Sequence, residues 1–195
     1  MPNLSGFLSY IFISTFTPGP NNIMSMTNST KFGFKKSIPF NIGVFIGFFL
    51  IMLLCSFFSI TLYSLIPSIK PYMTIAGAVY ILYLAWKIYK SEPHSMDSNE
   101  EKNAVSIWSG VVLQFVNVKV ILYGFTILST FIVPYYKSWY SLIGFSLALA
   151  FIGFVSTCCW SLFGSVFQKI FIKNEKIINI VMALLLVYCA ATLFF

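Results

Sequence analysis

The chain has 195 residues, 58% hydrophobic and only 9% charged, where an ordinary soluble domain carries about 25% charged residues. Its 12 basic residues are all lysine and outweigh five acids for a net charge of +7. Without arginine there is no fork for phosphates or base edges, so a nucleic-acid partner is excluded along with a soluble or disordered chain. An all-α polytopic membrane protein remains, with lipid as its surroundings.

A bilayer core of about 30 Å needs roughly 20 apolar residues per helix. That ruler predicts six spans, over residues 4–27, 39–63, 71–89, 105–133, 139–167 and 177–195. No basic stretch precedes the first span and no cleavage-like site follows it, which predicts a membrane span rather than a removed signal peptide. Just past its midpoint lies Thr17-Pro18-Gly19-Pro20-Asn21-Asn22. Two prolines around a glycine remove two backbone donors, so an interrupted helix is expected. A half-helix starting near Pro20 would offer free N–H groups and a partial positive charge to an anion, with Asn21 and Asn22 as further donors. A plain proline kink is the alternative.

The second span carries Gly43-x-x-x-Gly47, read as a helix-packing face. Such small-residue faces allow either a homodimer or close packing within one monomer. After the third span comes the one hydrophilic stretch, 91–104, with the lone His94 and four of the five acids, read as a solvated cytoplasmic linker. It divides a single transmembrane domain, 1–195, into halves at 1–90 and 105–195. Three spans per half force the second half to enter the membrane in the opposite sense. The expected fold is therefore two inverted three-helix repeats. Ile42-Gly43 against Ile143-Gly144 is a faint internal echo of this.

The fourth span contains Gln114, Asn117 and Lys119, and Asn117 lies 100 residues after Thr17, so helices 1 and 4 are both expected to be interrupted. Lys119 is the one ionisable Lys, Asp, Glu or His placed well inside a predicted span. A cation there costs about 2.5–3.5 kcal/mol even on the lenient insertion scale. A substrate anion, a cavity or backbone carbonyls would compensate it; snorkelling and a structural contact to the broken first span are the alternatives. Cys55, Cys158, Cys159 and Cys189 all lie in apolar runs and are read as small fillers. There is no Ser-His-Asp set, nucleotide-binding loop or metal-ligand cluster, so neither catalysis nor a cofactor is expected. Nine lysines in the odd-numbered loops against Lys70 and Lys137 in the even ones put the odd loops in the cytoplasm and both termini outside. Trp86, Trp108 and Trp139 fall near span ends as interfacial anchors.

The first-span motif, the glycines at 33, 43 and 47, and Gly77-Ala78-Val79-Tyr80-Ile81-Leu82-Tyr83-Leu84 resemble the LysE/RhtB family of bacterial amino-acid exporters. That family usually has Asn-Pro-Lys in its fourth span, whereas this chain has Asn117-Val118-Lys119, without the helix-breaking proline. Leu113 to Lys119, Ile121-Leu122-Tyr123-Gly124, Cys159-Trp160 and the string from Asn179 to Ala190 resemble the branch that exports cysteine and O-acetylserine. The resemblance implies export of these small amino acids across the bacterial inner membrane. On that reading Thr17, Pro18, Gly19, Pro20, Asn21, Asn22, Gln114, Asn117 and Lys119 form the substrate site. Lys119 is the main candidate carrier if export is coupled to protons. An exporter of threonine, homoserine or another amino acid is the near alternative. A membrane thiol–disulfide conduit is the distant one, disfavoured because no cysteine stands at either interruption.

Overall fold

The computed structural model describes residues 4–61, 66–90, 105–168 and 173–191, and every regular element in them is helical. The order is α1 (Leu4–Phe16), α2 (Pro20–Phe32), α3 (Phe34–Thr61), α4 (Ile66–Tyr89), α5 (Ile107–Val116), α6 (Val118–Ile127) continued by a π-helical turn (Leu128–Ile132), α7 (Trp139–Val166) and α8 (Glu175–Ala191). A broken pair, a 28-residue helix and a shorter helix thus occur twice in the same order. The linker at 91–104 and the expected span ends at 62–63 and 192–195 lie outside the described residues.

At 1.5 Å per residue α3 and α7 each reach about 42 Å, more than a bilayer core. Among the described residues, Phe34–Phe58 and Trp139–Val166 are long and apolar enough to cross a membrane, and α5 with α6 and its π turn makes a third such segment if their 66° bend is counted within one span. Leu4–Phe16 and Lys176–Ala191 are apolar but shorter. Exposed side chains identify the lipid side: Leu4, Leu8 and Phe12 on α1, Ile42, Ile46, Leu50 and Leu54 on α3, and Ile143, Leu147 and Phe151 on α7. Their four-residue spacing makes continuous apolar stripes, the exterior that lipid tails require.

Helix starts differ from the expected span boundaries for local reasons. The second span was expected from Pro39, but α3 begins at Phe34 and keeps Pro39 inside. The carbonyl that Pro39 cannot serve is that of Lys35, an exposed residue whose backbone can turn to water. Gly33 makes the sharp entry to α3. Its φ of +85° would strain any side chain, and its N–H closes α2 on the Ser29 carbonyl at 2.9 Å.

Glycines set the closest helix approaches. A Cβ on Gly43 would strike the Ile107 carbonyl, one on Gly47 would lie 2.7 Å from Gln114 Cγ, and one on Gly110 would strike the Phe40 carbonyl. The Gly43–Gly47 face is thereby filled by α5 of the same chain. Two apolar cores flank this contact. One joins α2, α3, α4, α5 and α8 around Ile23, Phe40, Ile81, Leu113 and Leu186. The other joins α1, α3, α6 and α7 around Phe7, Met52, Tyr123, Ile127 and Leu149.

α2 is unlike its neighbours. Asn22, Ser25, Thr27, Asn28, Ser29 and Thr30 are all buried, packed against α3 and α7. Ser161 Oγ donates to the Ser25 carbonyl at 3.2 Å, Thr30 Oγ1 to the Gly164 carbonyl at 3.3 Å, and Asn41 Nδ2 to Ser161 Oγ at 3.0 Å.

Candidate functional site

The two breaks meet, and the freed backbone groups account for most of the chemistry. A helix end leaves its last four carbonyls without amide donors. At the end of α1, side chains from α2, α7 and α8 take them over. Ser156 Oγ donates to the Thr15 carbonyl at 3.0 Å and Trp160 Nε1 to that of Phe16 at 3.2 Å. Asn22 Nδ2 donates to the carbonyls of Thr15 and Thr17 at 2.9 and 3.0 Å. The Cys189 thiol reaches the Pro18 carbonyl at 3.9 Å. Cys189 is therefore a weak cap on the break rather than only an apolar filler, and Cys158 accepts from Asn41 Nδ2 at 3.7 Å.

A chain of amides then joins the two breaks. The Gly110 carbonyl can only accept, so Gln114 presents Nε2 to it, at 3.0 Å. That choice turns Gln114 Oε1 to Asn21 Nδ2 at 2.8 Å, with Gln114 Nε2 also donating back to Asn21 Oδ1 at 3.1 Å. Asn21 Oδ1 next accepts from Asn117 Nδ2 at 2.9 Å. One carbonyl on α5 thus orients three side chains and leaves Asn117 Oδ1 buried with no partner. The donors expected from Asn21 and Asn22 are used inside the protein, where they brace the breaks.

Both half-helices begin beside this brace. α2 starts at Pro20 behind Gly19, which has no side chain to cap it, and α6 starts behind Asn117, whose side chain makes no capping bond. Their first N–H groups therefore keep the partial positive charge of a helix N-terminus. Lys119 Nζ donates to Thr17 Oγ1 at 3.0 Å. A Cβ on Gly19 would stand 3.1 Å from that Nζ, so a glycine there gives the ammonium room against the break.

These groups open on a cavity of about 40 Å³. One water needs roughly 10–15 Å³, so the cavity holds a very small solute. Gly19, Pro20, Asn21, Asn22, Asn117 and Lys119 line it. The other three expected residues stand behind: Thr17 holds Lys119, Pro18 points its carbonyl at Cys189, and Gln114 orients Asn21. Ser14, Thr15, Phe48, Val120, Tyr123, Gly153 and Thr157 complete the lining and were not expected. Only the hydroxyl pairs Ser14-Thr15 and Ser156-Thr157, in otherwise apolar runs, hinted at them. No lining residue is acidic, so the chamber offers one cation and two positive helix ends, an arrangement that attracts an anion.

Residues 12–195 match the LysE type translocator family. The chain is 44% identical over 192 residues to the cysteine/O-acetylserine efflux proteins of Escherichia coli (strain K12), Shigella sonnei (strain Ss046) and Shigella flexneri, covering 98% of this chain and 97% of each relative. No solved structure matches it. The match spans both breaks, the glycine contacts and every residue of the cavity, and this multi-pass membrane protein belongs to the LysE type translocator family.

Proposed function

We propose that the protein exports cysteine and O-acetylserine from the cytoplasm as a secondary transporter, with no chemistry performed on either. The names and 44% identity of the relatives support the substrates. The single observation that carries the mechanism is the convergence of two uncapped helix N-termini and Lys119 on one cavity. The substrate carboxylate binds there, against Nζ and the first N–H groups of α2 and α6. In this reading α1–α2, α3, α4, α5–α6, α7 and α8 are six spans of one domain in the bacterial inner membrane. They form two inverted halves on either side of the cytoplasmic linker, with odd loops in the cytoplasm and both termini outside. The halves rock about the cavity and expose it to each side in turn.

Replacing Lys119 with Met tests the site. Export of cysteine should vanish while membrane abundance stays at the wild-type level; normal export from that variant overturns the assignment. Counterflow in proteoliposomes with and without an imposed pH gradient tests coupling. A rate raised by the gradient identifies a proton antiporter, and an unchanged rate identifies a facilitator.

A further inference from the structure

We infer that Thr15 Oγ1, Asn117 Oδ1 and Tyr123 OH form an ammonium subsite, so that the cavity binds the zwitterion of a neutral α-amino acid more tightly than its des-amino and N-acylated relatives. The inference rests on the carboxylate reading of Lys119 and adds the other half of the ligand. All three atoms are buried with no hydrogen bond to the rest of the protein, the Thr15 and Tyr123 hydroxyls facing only each other, and all three residues line the cavity. Buried polar atoms are nearly always paired, so an unpaired amide oxygen and two hydroxyls with no other partner, gathered on one small chamber, point to a ligand.

The chemistry of these atoms narrows what that ligand is. Asn117 Oδ1 can only accept, and its orientation is imposed by the amide chain running from Gly110 through Gln114 and Asn21. The two hydroxyls also carry lone pairs for a donor. Tyr123 is held by its ring, stacked on Tyr10 at 5.6 Å and tilted against Phe48 at 5.8 Å, so its hydroxyl has a set position. Three acceptors match the three N–H donors of an ammonium group. On the same cavity Lys119 calls for an anion, so one ligand must carry both groups close together, as an α-amino acid does. The acceptors are all uncharged and no lining residue is acidic, so a second cation on the substrate side chain meets no counter-charge. Dibasic amino acids are excluded on that ground.

The test uses the full-length protein in proteoliposomes, with cysteine counterflow as the readout. Competition by 3-mercaptopropionate, which keeps the carboxylate and thiol but lacks the ammonium, reads the carboxylate half alone. Thr15→Val and Tyr123→Phe should each weaken cysteine by about tenfold, the scale of one hydrogen bond to a charged group. The inhibition constant of 3-mercaptopropionate should not change in either variant, and Thr15→Ser should restore cysteine. Unchanged cysteine affinity in both variants overturns the subsite, as does an equal loss for both ligands. Wild-type protein that supports no cysteine counterflow overturns the parent reading as well, a result the variants cannot mimic.

Discussion

Gln114→Leu separates a brace from a ligand. The side chain is fully buried and makes three hydrogen bonds, to Asn21 at 2.8 and 3.1 Å and to the Gly110 carbonyl at 3.0 Å. Leucine has a similar volume and keeps the contact with Gly47, so packing changes little. The Gly110 carbonyl retains its main-chain bond within α5. What is lost is the pairing with Asn21, whose Nδ2 is left without an acceptor. Side-chain hydrogen bonds between membrane helices average about 0.6 kcal/mol and reach about 1.7, which puts the loss at about 1–2 kcal/mol. Thermal unfolding of purified protein in detergent should fall by a few degrees. Cysteine affinity should weaken by up to about tenfold, because Asn21 and Asn117 lose their imposed orientation. A double-mutant cycle with Asn21→Ala isolates the term and should give a coupling of about 1 kcal/mol. Unchanged unfolding together with a large loss of affinity, or strictly additive effects in the cycle, would refute the brace.

Gly110→Ala places a methyl on the Phe40 carbonyl and should cost about 1–3 kcal/mol by forcing α3 and α5 apart, read as a lowered unfolding temperature. Gly153→Ala meets only the Phe48 ring, at an ordinary 3.5 Å, and should leave transport intact, whereas Gly153→Leu should fill the cavity and stop counterflow without lowering stability. A variant lacking Cys55, Cys158, Cys159 and Cys189 should still export, since none of these thiols lines the cavity; loss of export with normal membrane abundance would favour the thiol–disulfide conduit.

The break at Pro18-Gly19-Pro20 was legible because proline and glycine act locally, whatever surrounds them. Lys119 was legible because a cation is conspicuous among apolar residues. The break at Asn117 was less so, because no proline follows it. There the helix turns through 66° for tertiary reasons. Asn117 is held by Asn21, and α4 presses on the turn through Gly77, where a Cβ would strike Val118 and lie 3.0 Å from the Val116 carbonyl. The roles of individual asparagines were also hidden. Asn21 and Asn22 look like substrate donors in the sequence, but partners as far as 134 residues away decide which of their atoms are free. Thr15 shows only as one of two hydroxyl residues in an apolar run and Tyr123 not at all, since a hydroxyl on a membrane helix declares its function only through its surroundings.

The buried polar face of α2 bears on how the protein is made. Residues 20–32 emerge from the ribosome long before α7, yet the bond from Thr30 to the Gly164 carbonyl spans 134 residues. At roughly 5–20 residues per second, α2 waits about 7–27 s for that partner. During the interval its serines, threonines and asparagines cannot rest in lipid, so the segment must stay at the interface or in the insertion machinery. The first half is thus unfinished until the second arrives, and a chain cut in the linker should yield two fragments that accumulate only when made together.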